Sequence, residues 1–122
     1  MSKSIQGAQS FARNMNVLQQ IADAGTPPSR AELMQYCGLT RPTLYRIVAS
    51  LEAEGLIATT KDNRYTLGGR LVMLARQALA QNDIREIARS PLMHLRDMTG
   101  ETVHLAIRSG DDLVYIDKFE SR

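Results

Sequence analysis

Residues 38–57, Gly-Leu-Thr-Arg-Pro-Thr-Leu-Tyr-Arg-Ile-Val-Ala-Ser-Leu-Glu-Ala-Glu-Gly-Leu-Ile, constrain this chain more than any other stretch. They read as one capped helix. Thr40 is the N-cap candidate, because its hydroxyl can accept from an exposed backbone N–H of the first turn. Pro42 falls in that turn, where a missing N–H costs little. Gly55 is the stop after Glu54. At about 100° per residue, Leu44, Ile47, Val48 and Leu51 share one stripe. The opposite side carries Pro42, Arg46, Ala49 and Ala53, flanked by Thr43, Ser50 and Tyr45. The stripe demands a core. The other side is slim along its middle and has donors near its N-terminal end. A major groove about 12 Å wide accepts such a helix, with its N-terminal residues nearest the base edges.

The flanking segments complete a pattern. Ser29-Arg30-Ala31-Glu32 has the form of a capping box, which predicts a short helix from Arg30 to about Cys37. Gly38-Leu39 is the tight turn into the next helix. Upstream, Ala8 to about Ala24 reads as a first helix, with Phe11, Met15, Leu18, Ile21 and Ala22 as its apolar face. Gly25-Thr26-Pro27-Pro28 ends it. Downstream, Leu56–Thr60 and Arg64–Leu67 read as short strands joined by Lys61-Asp62-Asn63. They make a small wing with Lys61 and Arg64 at its tip, placed for phosphate or the minor groove. This order is that of a winged helix-turn-helix over residues 1–69, and it points to DNA.

Gly68-Gly69 marks a boundary. Arg70 to Ala80 places Leu71, Leu74, Ala75 and Ala78 at helical spacing, so residues 70–82 read as a linker helix. Little else is available to cover that stripe, and it is assigned to a homodimer contact. Gln81-Asn82-Asp83 interrupts the pattern. Ile84 to Met98 reads as a longer helix with Ile84, Ile87, Ala88, Leu92 and Leu95 as its stripe and Gly100 as its end. Pro91 inside it predicts a kink or a break. Thr102–Arg108 and Leu113–Phe119, joined by Ser109-Gly110-Asp111-Asp112, carry a β-hairpin signature. The predicted class is therefore mainly α with small β. One helix and one hairpin over residues 83–122 make a poor independent domain. The hairpin reads as the opening of a larger sheet, and the chain is expected to be a fragment of a longer protein.

Composition excludes several alternatives. At 43% hydrophobic the 122 residues can bury a core, and with no Trp and two Phe that core must be mainly Leu, Ile, Val, Met and Ala. No apolar run approaches the roughly 18 residues of a membrane span. Met-Ser-Lys-Ser-Ile-Gln lacks the h-region of a signal peptide. Cys37 is alone, so no intrachain disulfide is possible, and its place on an apolar face makes it a core thiol. A cytoplasmic protein without membrane contact is expected. The net charge of +2 does not by itself argue for nucleic acid. Its distribution helps: residues 1–70 hold eight Lys/Arg against five Asp/Glu, and residues 71–122 seven against eight. The basic half is the helix-turn-helix half, as phosphate binding requires. His94 and His104 lack metal-ligand spacing and read as structural. There is no Gly-rich phosphate loop, no nucleophile elbow and no paired carboxylates. The expectation is a non-enzyme with no metal and no cofactor.

Three runs, Gly38-Leu39-Thr40-Arg41-Pro42-Thr43-Leu44-Tyr45-Arg46, Leu51-Glu52-Ala53-Glu54-Gly55-Leu56-Ile57 and Arg64-Tyr65-Thr66-Leu67-Gly68-Gly69-Arg70-Leu71, together resemble the IclR family of bacterial transcriptional regulators. Leu113-Val114-Tyr115-Ile116-Asp117-Lys118 resembles the first hairpin of that family's effector domain. The resemblance implies a dimer or tetramer on a pseudo-palindromic double-stranded operator, with the linker helix and first helix forming much of the dimer contact. It also implies an α/β effector domain that binds a small organic acid in the full-length protein, with its ligand residues mainly beyond Arg122. Pro42 stands where the family more often has a small polar residue, which removes one possible donor.

Each DNA-facing residue has an expected role. Arg46, outward on the helix, is the base reader, since bidentate Arg to guanine is the commonest such contact. Arg41, at the helix start, meets phosphate. Thr43 suits a base edge or a phosphate. Tyr45 either bonds phosphate or packs. Ser29 is first an N-cap, at a helix end that also suits phosphate. Lys61 and Arg64 serve the wing. The alternative is a winged-helix protein-interaction module without DNA binding.

Overall fold

The computed structural model describes residues 7–81 and 83–121. The N-terminal hexapeptide, Asn82 of the predicted interruption and Arg122 lie outside them. The element order is α1 Ala8–Asp23, α2 Arg30–Cys37, α3 Arg41–Ala53, β1 Ile57–Thr59, β2 Tyr65–Leu67, α4 Gly69–Ala80, α5 Ile84–Thr99, β3 Val103–Ser109 and β4 Asp112–Phe119. The chain forms two compact units, divided between Leu74 and Ala75, inside α4.

The first unit is a three-helix core with a two-stranded wing. Its core is Val17, Leu18, Ile21, Leu33, Leu44, Ile47, Val48, Leu51, Ile57 and Tyr65, with Met34, Cys37, Leu39, Leu56 and Leu71 packed against it. The apolar stripe of α3 is buried as its periodicity predicts. The face of α1 differs from the expected one. Leu18 and Ile21 are buried, but Val17 joins them, while Phe11 is 68% and Met15 43% exposed. Burial therefore covers only the C-terminal half of α1, beside α2 and α3.

Local chemistry sets the helix ends. At α2 the capping box is complete: the Glu32 N–H donates to Ser29 Oγ and the Ser29 N–H to Glu32 Oε1, each at 3.2 Å. Gly38 closes α2 in the left-handed region at φ 64°. At α3 the expected cap takes a different form. Thr40 is the N-cap residue, but its hydroxyl caps no backbone N–H and donates instead to Thr43 Oγ1 at 3.0 Å. The C-terminus of α3 is a Schellman motif. The Leu56 N–H reaches the Leu51 carbonyl at 2.9 Å and the Gly55 N–H reaches Glu52 at 3.0 Å, with Gly55 at φ 71°.

β1 and β2 pair antiparallel, Ile57 opposite Leu67 and Thr59 opposite Tyr65. The loop before α2 borders the far edge of β2: Ser29 bridges Arg64, and the Tyr65 N–H donates to the Pro28 carbonyl at 3.0 Å. The wing is thus tied to the start of α2.

The second unit holds α5 against a hairpin of β3 and β4. The two strands turn through Gly110-Asp111, with Gly110 at φ 60°, the glycine-first pattern of a type II′ turn. Ile116 and Phe119 are its buried side chains. Two expectations are corrected here. Of the kink or break predicted at Pro91, the break is absent, and α5 runs through it as one helix. Proline removes the bond to the carbonyl of Ile87, and Ile87 lies on the solvent side of the helix, 73% exposed, where a lost helical bond is best tolerated. The predicted α5 stripe is also only partly covered. Ala88 and Leu92 are half-buried, whereas Ile84, Ile87 and Leu95 are exposed. A two-stranded ribbon is too narrow to cover a whole helix face.

Candidate nucleic-acid interface

Burying one stripe of α3 dictates what its other side presents. With Leu44, Ile47, Val48 and Leu51 inward, Arg41, Pro42, Tyr45, Arg46, Ala49 and Ser50 are all exposed. Thr43 is half-buried, with its hydroxyl engaged by Thr40. Arg46 stands between two open hollows. One, of about 490 Å³, is lined by Arg30, Arg41, Pro42, Tyr45 and Arg46. The other, of about 340 Å³, brings Ser10, Arg13 and Asn14 of α1 beside Thr43 and Arg46.

Arg30, Arg13 and Asn14 are the residues that sequence reasoning misses. In the sequence Arg30 is only an interior position of the capping box. Its guanidinium carbon lies 5.1 Å from the centroid of the Tyr45 ring. Arg13 and Asn14 follow Phe11 on a helix whose inward face differs from the expected one, and their place beside α3 depends on how the helices pack. Four of the expected residues, Arg41, Pro42, Tyr45 and Arg46, line one hollow, and Thr43 lines the other.

The wing residues divide. Lys61 is exposed at the tip. Arg64 points back toward α2, its Nη1 donating to Glu32 Oε1 at 2.9 Å and to the Pro27 carbonyl at 3.0 Å. Ser29 Oγ is taken by the cap. Glu32 gathers these contacts, and Tyr36 Oη also donates to it at 3.3 Å. Hydrogen bonds from Ser29, backbone first and hydroxyl second, then from Arg64, hold the Glu32 carboxyl below its usual pKa. Burial pushes the Cys37 thiol up, as befits its place against the core. Among the described residues no cluster of His, Cys, Asp and Glu could hold a metal ion. His104 instead stacks edge-on against Tyr115 at 5.4 Å. No helix among the described residues is long and apolar enough to cross a membrane.

On α4, Leu71 packs on the core of the first unit, while Leu74, Ala75 and Ala78 are exposed together with Val72 and Met73.

Three helices, a wing tied to the second and an outward face of arginines on the third define a winged helix-turn-helix protein. Residues 10–61 match the IclR helix-turn-helix domain and residues 76–122 match the bacterial transcriptional regulator IclR C-terminal domain. The chain belongs to the IclR family of bacterial transcriptional regulators. It is 34% identical over 111 residues to the probable transcriptional regulator SauR of Cupriavidus necator, covering 90% of this chain and 44% of that protein. The crystal structure of Thermotoga maritima IclR superimposes with a TM-score of 0.73 at 30% identity, over 93% of this chain and 46% of that one. An IclR homologue from Microbacterium hydrocarbonoxydans, crystallised with 4-hydroxybenzoate, shares the fold at a TM-score of 0.70 and 19% identity, over 91% of this chain and 46% of that one. The chain spans about half the length of the relatives it matches.

Proposed function

We propose that this chain is the DNA-binding part of a transcriptional regulator, and that α3 is its recognition helix. The observation that carries this reading is the division of α3. One stripe is buried in the core, and the other side is an open surface bearing Arg41, Tyr45 and Arg46. In this reading Arg46 enters the major groove and meets a guanine edge, with Arg41 on the adjoining phosphate. Thr43 and Tyr45 add contacts beside them. Lys61 approaches phosphate from the wing. Arg64 acts through the wing's position, and Ser29 through its cap.

Two copies would place their recognition helices in successive major grooves about 34 Å apart. The exposed apolar side chains of α4, and Phe11 and Met15 on α1, are the surface for that pairing. The match of residues 76–122 to the family's C-terminal domain supports control by a small organic acid in the whole protein.

The test is a mobility shift on operator fragments across a salt series. Arg46→Ala is expected to weaken binding about tenfold to a hundredfold, the range of one bidentate base contact. Log affinity should fall steeply with log salt. A slope near zero would overturn the DNA reading, and unchanged binding by Arg46→Ala would remove Arg46 from the interface.

A further inference from the structure

Phosphate attraction accounts for arginines on α3, but not for the apolar surface set among them. Pro42 is exposed, and the Tyr45 ring is 57% exposed. Together they floor the hollow rimmed by Arg30, Arg41 and Arg46. Core packing does not explain that floor, because the core stripe of α3 lies on its other side.

The ring is also held. Arg30 is the first residue of α2, and the complete capping box beside it fixes its backbone. Its guanidinium pKa is raised, with the side chain of buried Tyr65 the largest cause. From there the guanidinium lies over the Tyr45 ring at 5.1 Å, within cation–π range. A cation held over an exposed ring limits the rotamers that ring can adopt.

Among the base edges in the major groove, thymine alone offers an apolar group, its C5-methyl. We propose that Pro42 and Tyr45 read a thymine methyl, and that Arg30 is the positioning residue that holds the Tyr45 ring for it. The proposal rests on the DNA-binding reading and adds a base preference to it. It also gives Pro42 a role: where a small polar residue would offer a hydrogen bond, proline offers apolar surface.

The probe is a duplex enriched from a random-sequence library by the 122-residue chain itself. Each thymine is then replaced by uracil, which removes the methyl and keeps every hydrogen-bonding group. One thymine in each half-site is expected to show a loss of about fourfold, as burial of one methyl-sized group implies. Tyr45→Phe should retain that loss and Tyr45→Ala should abolish it. Arg30→Lys keeps the charge and the salt slope but removes the broad guanidinium over the ring, so the uracil penalty should shrink to under about twofold. Full tolerance of uracil on a duplex bound with steep salt dependence would overturn the methyl reading and leave DNA binding standing. A penalty that persists in Tyr45→Ala would overturn the assignment of that methyl to the Tyr45 ring. An unchanged penalty in Arg30→Lys would overturn the positioning role. Failure to enrich any duplex would overturn both this proposal and the DNA reading.

Discussion

A methyl group added at residue 68 would lie 2.2 Å from the carbonyl oxygen of Gly55 and 2.9 Å from the carbonyl carbon of Leu56. The Gly68 N–H donates to the Leu56 carbonyl at 2.8 Å, so two backbone segments touch where the wing passes into α4. Both partners are backbone and cannot swing aside. Gly68→Ala should therefore destabilise the chain by about 1–3 kcal/mol, the range of overpacking. A thermal melt checks this, and a shift equivalent to under about 0.5 kcal/mol would contradict it. The two caps make a second comparison. Ser29→Ala should cost about 1 kcal/mol because its hydroxyl satisfies a first-turn N–H. Thr40→Ala should cost clearly less, because that hydroxyl serves Thr43. Equal melting shifts would refute the distinction. Residue identity signals both caps, yet only the folded structure reveals which partner a hydroxyl engages. Arg46 is legible because its angle on the helix wheel follows from spacing alone.

At the scale of elements, the wing is joined to α2 through Glu32. That carboxylate closes the capping box and receives Arg64 from a segment 32 residues away. Its pKa in the folded state is lowered, with Ser29 the largest cause. A lowered carboxylate pKa contributes stability that is fully present above the unfolded value. It is lost as pH falls through the folded value. Acid titration of the melting temperature should accordingly show a loss that Glu32→Gln flattens. A parallel acid limb in wild type and Glu32→Gln would sink the assignment. The helices themselves are legible to within a residue or two, since caps and periodicity act over one or two turns. Continuity of α5 through Pro91 is not legible. It depends on whether the lost bond falls on the solvent side of the helix, and that is decided by what packs around it. Arg64 escapes the sequence for a related reason: a turn arginine reads as solvent-facing until its partner is known.

For the whole molecule, the exposed apolar side chains of α4 set the next expectation. Met73 is 64% and Leu74 46% exposed, on a helix that joins the two units. If they pair with a second copy, Met73→Asp and Leu74→Asp should shift the sedimenting species from dimer to monomer. They should also weaken binding to a palindromic duplex about tenfold or more, as loss of the linked second half-site implies. The fold of the first unit should persist in both variants, read by circular dichroism, because neither side chain belongs to its core. An unchanged sedimentation coefficient would contradict the pairing. The sequence by itself determined the helix-turn-helix order, the wing, the buried stripe of α3 and the outward angle of Arg46. Each depends on spacing, capping or turn chemistry within a short stretch of chain. The tertiary structure decided the neighbours: Arg30 over Tyr45, Arg64 on Glu32, Arg13 beside Arg46 and the half of α1 that is buried. These contacts join residues 15 or more positions apart, and no local pattern encodes them. They arise only when packing the apolar stripes brings distant polar groups within reach of one another.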